Sequence, residues 1–364
     1  MNTVIYEYLL VSAMSFLLVF ALTPFIQKLA IRTGFVDAPS QRKVHRKVTP
    51  LMGGVAVFLG FFIMVLFDLI LLPGRYNDVA LLGYLGGAVL IVTLGLIDDK
   101  FGMSPLVKMG GQAVAALIFL ISNDLLTLFG PIYITLPILL LWMVSLMNAF
   151  NFLDNMDGII SGMAGILAFG FYSFAFIVKT TSLAPQVHYI SLLSLTFAGA
   201  VFGFLPYNFN PAKMFLGDAG SLFIGYFLSS LAILSGRLAV VRMNNNLFYL
   251  LPVLLLSFPI FDISLVSYTR KRDGRIVSEG GKDHSTHRIG TATKSAKITS
   301  LLVYLINILI VLLTVLVLKL NSLPLLLIAI IFFAVAFLFF GIKLDGVPII
   351  VTKNQLRKKG KEKQ

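Results

Sequence analysis

The chain contains no cysteine, which excludes disulfides and thiolate-bound metals. Charge is scarce as well: 12% of the residues are Asp, Glu, Lys or Arg, against 58% that are hydrophobic. A water-soluble domain has nowhere to hide that much apolar surface. The opening Met1-Asn2-Thr3-Val4-Ile5-Tyr6-Glu7 lacks a basic leader, and the apolar run behind it outlasts a signal-peptide core, so it reads as a retained first helix. Internal repeats are not evident. What the chain does have is apolar runs of about 20 residues from end to end, the length that crosses a bilayer as a helix. The runs are continuous rather than alternating, which favours helices over a barrel. The expected fold class is an all-α polytopic membrane protein with about eleven transmembrane helices.

The spans are expected near Val4–Gln27, Leu51–Leu72, Val79–Ile97, Val107–Ser122, Pro131–Phe150, Gly158–Val178, Tyr189–Pro206, Ser221–Ser235, Leu247–Tyr268, Ile298–Leu318 and Ser322–Ile342. They form a single membrane domain over 1–342, followed by a basic tail over 343–364. The net charge of +13 could be taken for nucleic-acid binding, but topology explains it better. Of the 29 Lys and Arg residues, 24 fall on the face reached after odd-numbered helices and 5 on the other. By the positive-inside rule the first face is cytoplasmic. The N-terminus is then outside and the C-terminus cytoplasmic. Most of the acids, among them Asp98, Asp99, Asp154, Asp157, Asp218, Asp262 and Asp283, map to the same cytoplasmic face.

Five polar constellations stand out. Arg42, Lys43 and His45, followed by Gly53-Gly54, could hold phosphate, although a positive-inside loop before a helix gives the same pattern. Asp98-Asp99 ends the third span, where acids oppose the helix dipole and repel each other. Local structure gains nothing from them, so a cation or a proton-transfer role explains them better. Lys108 enters the next span and could face the same site, or it could be a snorkelling lysine. Asn148 to Gly158 sets asparagines and aspartates in an oily surround. If it is helical, Asn151, Asp154 and Asp157 share one face, and their hard oxygens suit Mg²⁺. In the stretch from Asn208 and Asn210 to Ser221, Asp218 reads either as an N-cap or as a metal ligand beside an anion held at a helix N-terminus. Finally, His284, His287 and Arg288 lie within five residues of one another and could grip a diphosphate.

Together these motifs resemble the polyprenyl-phosphate N-acetylhexosamine-1-phosphate transferases, a glycosyltransferase family 4-like group. The likeness runs from about Gly34 to Arg288. It rests on Asp98-Asp99, on Asn151-Phe152-Leu153-Asp154-Asn155-Met156-Asp157-Gly158, on Phe215-Leu216-Gly217-Asp218-Ala219-Gly220-Ser221 and on the His284–Arg288 loop. The resemblance implies transfer of N-acetylglucosamine-1-phosphate, or a related sugar phosphate, from a UDP-sugar to undecaprenyl phosphate, with release of UMP. The setting it implies is the cytoplasmic face of a bacterial plasma membrane, and the lipid-linked sugar formed there starts a cell-wall or surface glycopolymer.

Mg²⁺, with Mn²⁺ as the alternative, is the implied cofactor. Asp218 is its main ligand, supported by Asp99, and Asp98 deprotonates or orients the lipid phosphate. Asn151, Asp154, Asn155, Asp157 and Asn210 hold the nucleotide and shape the site. Arg42, Lys43, His45, Lys108, His284, His287 and Arg288 contact substrate phosphates. The expected partners are the UDP-sugar, the polyprenyl phosphate and the bilayer, with no nucleic acid and a homodimer allowed.

Two departures from the family pattern matter. A third acid that some members carry is Gly102 here. The muramoyl-pentapeptide branch usually has a denser histidine run than His284 and His287. Phospho-muramoyl-pentapeptide transfer is therefore the alternative activity, and a secondary transporter is the alternative class. A transporter would place charge near mid-span within inverted repeats.

Overall fold

The computed structural model describes residues 2–37, 48–71, 77–178, 184–276 and 281–348. Arg42, Lys43 and His45 lie outside the described residues, as does the tail beyond residue 348. Thirteen α-helices carry the described fold. They are α1 Asn2–Thr33, α2 Gly53–Leu71, α3 Asp78–Phe101, α4 Pro105–Ser122, α5 Ile132–Leu153, α6 Ile159–Val178, α7 Ala184–Asn208, α8 Gly217–Met243, α9 Leu250–Leu255, α10 Ser257–Arg272, α11 Ser285–Thr293, α12 Ala296–Leu320 and α13 Leu323–Asp345. Among the described residues ten of these helices are long and apolar enough to cross a membrane, and the bent pair Asn246–Leu255 and Ser257–Arg272 makes eleven if counted as one span. The all-α polytopic expectation is borne out.

Three elements differ from the expectation. The ninth span is broken, with a 72° bend between α9 and α10. Pro259 lies one turn past Leu255 and has no amide to offer that carbonyl, so the helical ladder fails there. The loop before α12 contains the short helix α11. A two-stranded antiparallel ribbon, β1 Val36–Asp37 with β2 Thr49–Pro50, precedes α2.

The centre of the bundle is α8, buried along most of its length and packed against α2, α3, α5 and α6. Small residues let the backbones touch. A Cβ on Gly54 would lie 2.1 Å from Gly220 Cα, and one on Gly95 would lie 2.3 Å from Ala219 Cα. This close approach, rather than expulsion of water, drives helix association in lipid. Polar backbone freed on the outer face of a helix is satisfied locally, as the bilayer requires. Pro24 in α1 frees the carbonyl of Phe20, and the Tyr207 hydroxyl donates to it at 3.0 Å.

Large apolar side chains on α1, α12 and α13, such as Phe25, Leu309 and Phe339, face outward as a lipid-contacting surface does. The packing brings the end of α3, the start of α4, the end of α5 and the start of α8 to one end of the bundle.

Candidate active site

The α8 N-terminus organises this end. Its first-turn amides need acceptors, and no side chain at its own cap supplies one. Asp99 supplies both from α3: the amides of Asp218 and Ala219 donate to its Oδ1 and Oδ2 at 2.9 and 3.3 Å. Gly217 makes room for this. Its φ is +72°, and a Cβ there would lie 2.6 Å from Asp99 Oδ2. Asp99 was expected on the metal; the structure gives both its oxygens to the backbone of α8, so it fixes the helix that carries Asp218.

Beside this cap, Lys108 from α4 joins three helices. Its Nζ lies 2.7 Å from Asp98 Oδ2, contacts Asp218 Oδ2 and donates to Asn151 Oδ1 at 3.2 Å. Asn151 Nδ2 donates in turn to Asp218 Oδ1 and Ser221 Oγ, each at 2.9 Å. Asp98 and Asp218 come within hydrogen-bonding reach of each other, which two carboxyl groups tolerate when they share a proton or hold a cation between them. The Lys108 ammonium is that cation here.

Among the described residues no three acids or histidines form a metal site by themselves. Mg²⁺, however, needs only one or two carboxylates and takes its other ligands from water and substrate phosphates. Asp98 and Asp218, with the Asn151 amide oxygen, are hard donors already gathered around a positive charge. The donor set therefore fits Mg²⁺, while Asp99 faces the α8 backbone.

The stretch that follows Asn151 is not one helical face. Helix α5 stops at Leu153, and Asp154 to Gly158 form a turn closed by Gly158 at φ +75°. Asp157 accepts from Asn210 Nδ2 and from the Ala212 amide, both at 2.9 Å. Asn155 donates to the Phe152 carbonyl and accepts from Thr286 Oγ1, each at 2.8 Å. Asp157, Asn210 and Asn155, all expected on substrate, thus tie loops to one another.

Asp154 differs from them: among the described residues its carboxylate has no hydrogen-bond or ion-pair partner. Burial, then the nearby Asp218, Asp99 and Asp157, push it up to about 8. At neutral pH it is mostly protonated, and as a free acid it is able to donate to a phosphate or sugar oxygen.

The His284–Arg288 segment packs beside the turn from Asp154 to Gly158, His284 on Phe152 and Thr286 on Asn155. Among the described residues His287 Nδ1 is buried without a partner, and burial, followed by His284, lowers this imidazole to about 4. Arg288 was expected on phosphate. It is 3% exposed, and its guanidinium donates to the carbonyls of Asp283 and Leu344, each at 2.9 Å, so it closes the C-terminal end of α13 instead.

Two buried acids beside this segment carry no role legible from the motifs alone. Asp283 is 1% exposed and takes a two-pronged bond from Arg270 at 2.9 and 2.7 Å, with Arg275 at 2.8 Å. Burial opposes its ionised form, but the bond and charge of Arg270, with the charge of Arg275, together outweigh this and hold it down to about 2. Asp262, fully buried on α10, binds the start of α11. An acid inside an apolar run is the signal that would have singled it out.

Fold and cluster together define a polytopic helical membrane protein with a cation-holding polar site at one end of its bundle. The sequence pattern described as glycosyl transferase family 4 matches residues 81–236, the segment from α3 into α8. A probable undecaprenyl-phosphate N-acetylglucosaminyl 1-phosphate transferase of Bacillus subtilis (strain 168) is 34% identical over 301 residues, covering 80% of each chain. A decaprenyl-phosphate N-acetylglucosaminephosphotransferase of Mycobacterium tuberculosis is 30% identical, covering 77% of this chain and 75% of its own. A phospho-N-acetylmuramoyl-pentapeptide-transferase of Halalkalibacterium halodurans is also 30% identical, but covers 58% of this chain and 69% of its own. The chain belongs to glycosyl transferase family 4.

Proposed function

We propose that the protein transfers N-acetylglucosamine-1-phosphate, or a related N-acetylhexosamine 1-phosphate, from the UDP-sugar to undecaprenyl phosphate. UMP is released, and the lipid-diphosphate-sugar begins a cell-wall or surface glycopolymer. The observation that carries this reading is the Asp98–Lys108–Asp218–Asn151 cluster beside a helix N-terminus capped from another helix. Such a site suits two anionic phosphates brought together at a membrane face. Relatives named for N-acetylglucosamine-phosphate transfer match more of this chain than the muramoyl-pentapeptide relative does, which supports the N-acetylglucosamine donor.

In the reaction an oxygen of the lipid phosphate bonds to the β-phosphorus of the UDP-sugar. The bond from that phosphorus to the bridging oxygen breaks, and UMP leaves with the electron pair. Asp98 and Asp218, with Asn151, are the residues that would hold Mg²⁺ or Mn²⁺, and the ion would neutralise phosphate charge. Lys108 sits where it can contact a phosphate oxygen and offset its charge. Asp98 orients the attacking phosphate and takes any proton it carries. Asp154 would donate a hydrogen bond to the nucleotide-sugar. Asp99 keeps the α8 amides and Asp218 aligned.

The skew of basic residues supports a cytoplasmic site, with the N-terminus outside and a basic cytoplasmic tail behind one membrane domain. The test uses purified protein in detergent with undecaprenyl phosphate and Mg²⁺. UDP-N-acetylglucosamine should yield UMP, and UDP-muramoyl-pentapeptide should yield little. Absence of UMP with every UDP-sugar would sink the transferase reading.

A further inference from the structure

Helix α11 ties Thr286 to Asn155 in the turn that follows Asn151, yet it starts without a cap of its own. His284 stands at the cap position, and no side chain there bonds the first-turn amides. Asp262, 0% exposed on α10, does so instead. The Ser285 amide donates to Asp262 Oδ1 at 2.8 Å, and the Ser285 hydroxyl donates to the same oxygen at 2.5 Å. The other oxygen, Oδ2, lies 2.8 Å from His284 Nδ1.

An ionised carboxylate only accepts, so Nδ1 must carry the proton, and a neutral His284 then presents Nε2 as a lone pair. The His284 ring packs edge-on to Phe152 at 6.2 Å and lies 6.1 Å from the His287 ring. Thr286, one residue beyond Ser285, holds Asn155. One buried carboxylate thus sets the tautomer of one histidine, the backbone that aims the second, and the seat of the turn that follows Asn151.

We propose that Asp262 is a positioning residue of the transferase site, acting through the His284 tautomer and the start of α11. This rests on the transferase reading above. It adds a residue whose place inside an apolar helix suggests no contact with substrate.

Asp262→Asn separates the two jobs. Its amide oxygen can still accept from Ser285, so the helix start is kept. Its NH₂ faces His284 Nδ1 and drives the proton to Nε2, reversing the tautomer. Loss of such an orienting partner typically costs about 10- to 100-fold, and kcat/KM for UMP release should fall by that order. His284→Asn places an amide nitrogen where Nδ1 was, keeps the bond to Asp262 and lacks Nε2. It should show a similar loss, and the double variant should be no worse than either single one, because both act through one atom. Ser285→Ala removes one bond of the cap and should stay within about threefold of wild type.

Wild-type turnover in Asp262→Asn, or losses that multiply in the double variant, would overturn the proposal. Should Asp262→Asn not fold, His284→Asn decides alone, and full activity in it overturns the proposal. A wild-type protein that releases no UMP refutes the transferase reading itself. An active wild type with an equally active Asp262→Asn refutes only the role of Asp262.

Discussion

Replacing Lys108 with Met keeps the aliphatic stem and removes the charge between Asp98 and Asp218. The Lys108 and Asp98 side chains are 13% and 12% exposed, and that of Asp218 is 32% exposed. Taking one partner from a buried ion pair costs about 3–5 kcal/mol. The partial exposure of Asp218, and the option of sharing a proton between the two acids, put the effect at the lower end, near 3 kcal/mol. With roughly 2–4 °C per kcal/mol, the melting temperature in EDTA should fall by about 6–12 °C. Trp142, the chain's single tryptophan, is a ready probe. Its Nε1 donates to the Ser229 carbonyl at 3.2 Å, so its fluorescence reports the α5–α8 contact above the cluster. Millimolar Mg²⁺ should restore much of the lost stability in Lys108→Met and shift wild type less, because a divalent cation then meets the charge the ammonium had met. UMP release should fall on the order of 100-fold, as when one charge-stabilising donor is removed. Equal melting temperatures in EDTA, or an equal response to Mg²⁺, would show that Lys108 does not hold the two acids together.

Asp218→Asn should cut UMP release by 100-fold or more while Trp142 still melts cooperatively; near-normal turnover would remove Asp218 from the proposed metal site. Gly217→Ala should lower stability by about 1–2 kcal/mol from the positive φ alone, and activity further as its Cβ displaces Asp99; a silent substitution would show that the Asp99 cap is dispensable. Because His287 titrates at about 4 when folded against roughly 6.5 when unfolded, the unfolded chain binds more protons between those values. The stability His287 contributes is therefore present above about pH 6.5 and lost as pH falls toward 4. His287→Gln should flatten that part of the melting-temperature profile, and an unchanged slope would count against a buried neutral imidazole.

The membrane spans were legible because an apolar run of bilayer length has few other uses. The break in the ninth was harder to see, since Leu247 to Tyr268 is mostly apolar and Pro252 and Pro259 both lie within it. Helix α11 left little local trace because its cap comes from α10, and a capping residue more than twenty positions away does not register in a sequence window. The acid–lysine cluster was visible as Asp98, Lys108, Asn151 and Asp218. Which polar groups face a ligand and which face each other was not. Asp157 with Asn210, and Asn155 with Thr286, have the same residue types as a substrate site, and only the folded loops show that they bind one another. Asp99 is the sharpest case: it adjoins Asp98 in sequence, yet its oxygens are turned to the α8 backbone.

The cap that Asp99 places on α8 spans 119 residues of sequence. Translation adds about 5–20 residues each second, so the end of α3 is made roughly 6–24 seconds before the helix it closes. During that interval Asp98 and Asp99 stand at the end of an apolar helix without the α8 amides that Asp99 later caps. The site thus closes only once α8 has been made, and an arrest of synthesis between α4 and α8 would leave an inserted chain with its acids still waiting.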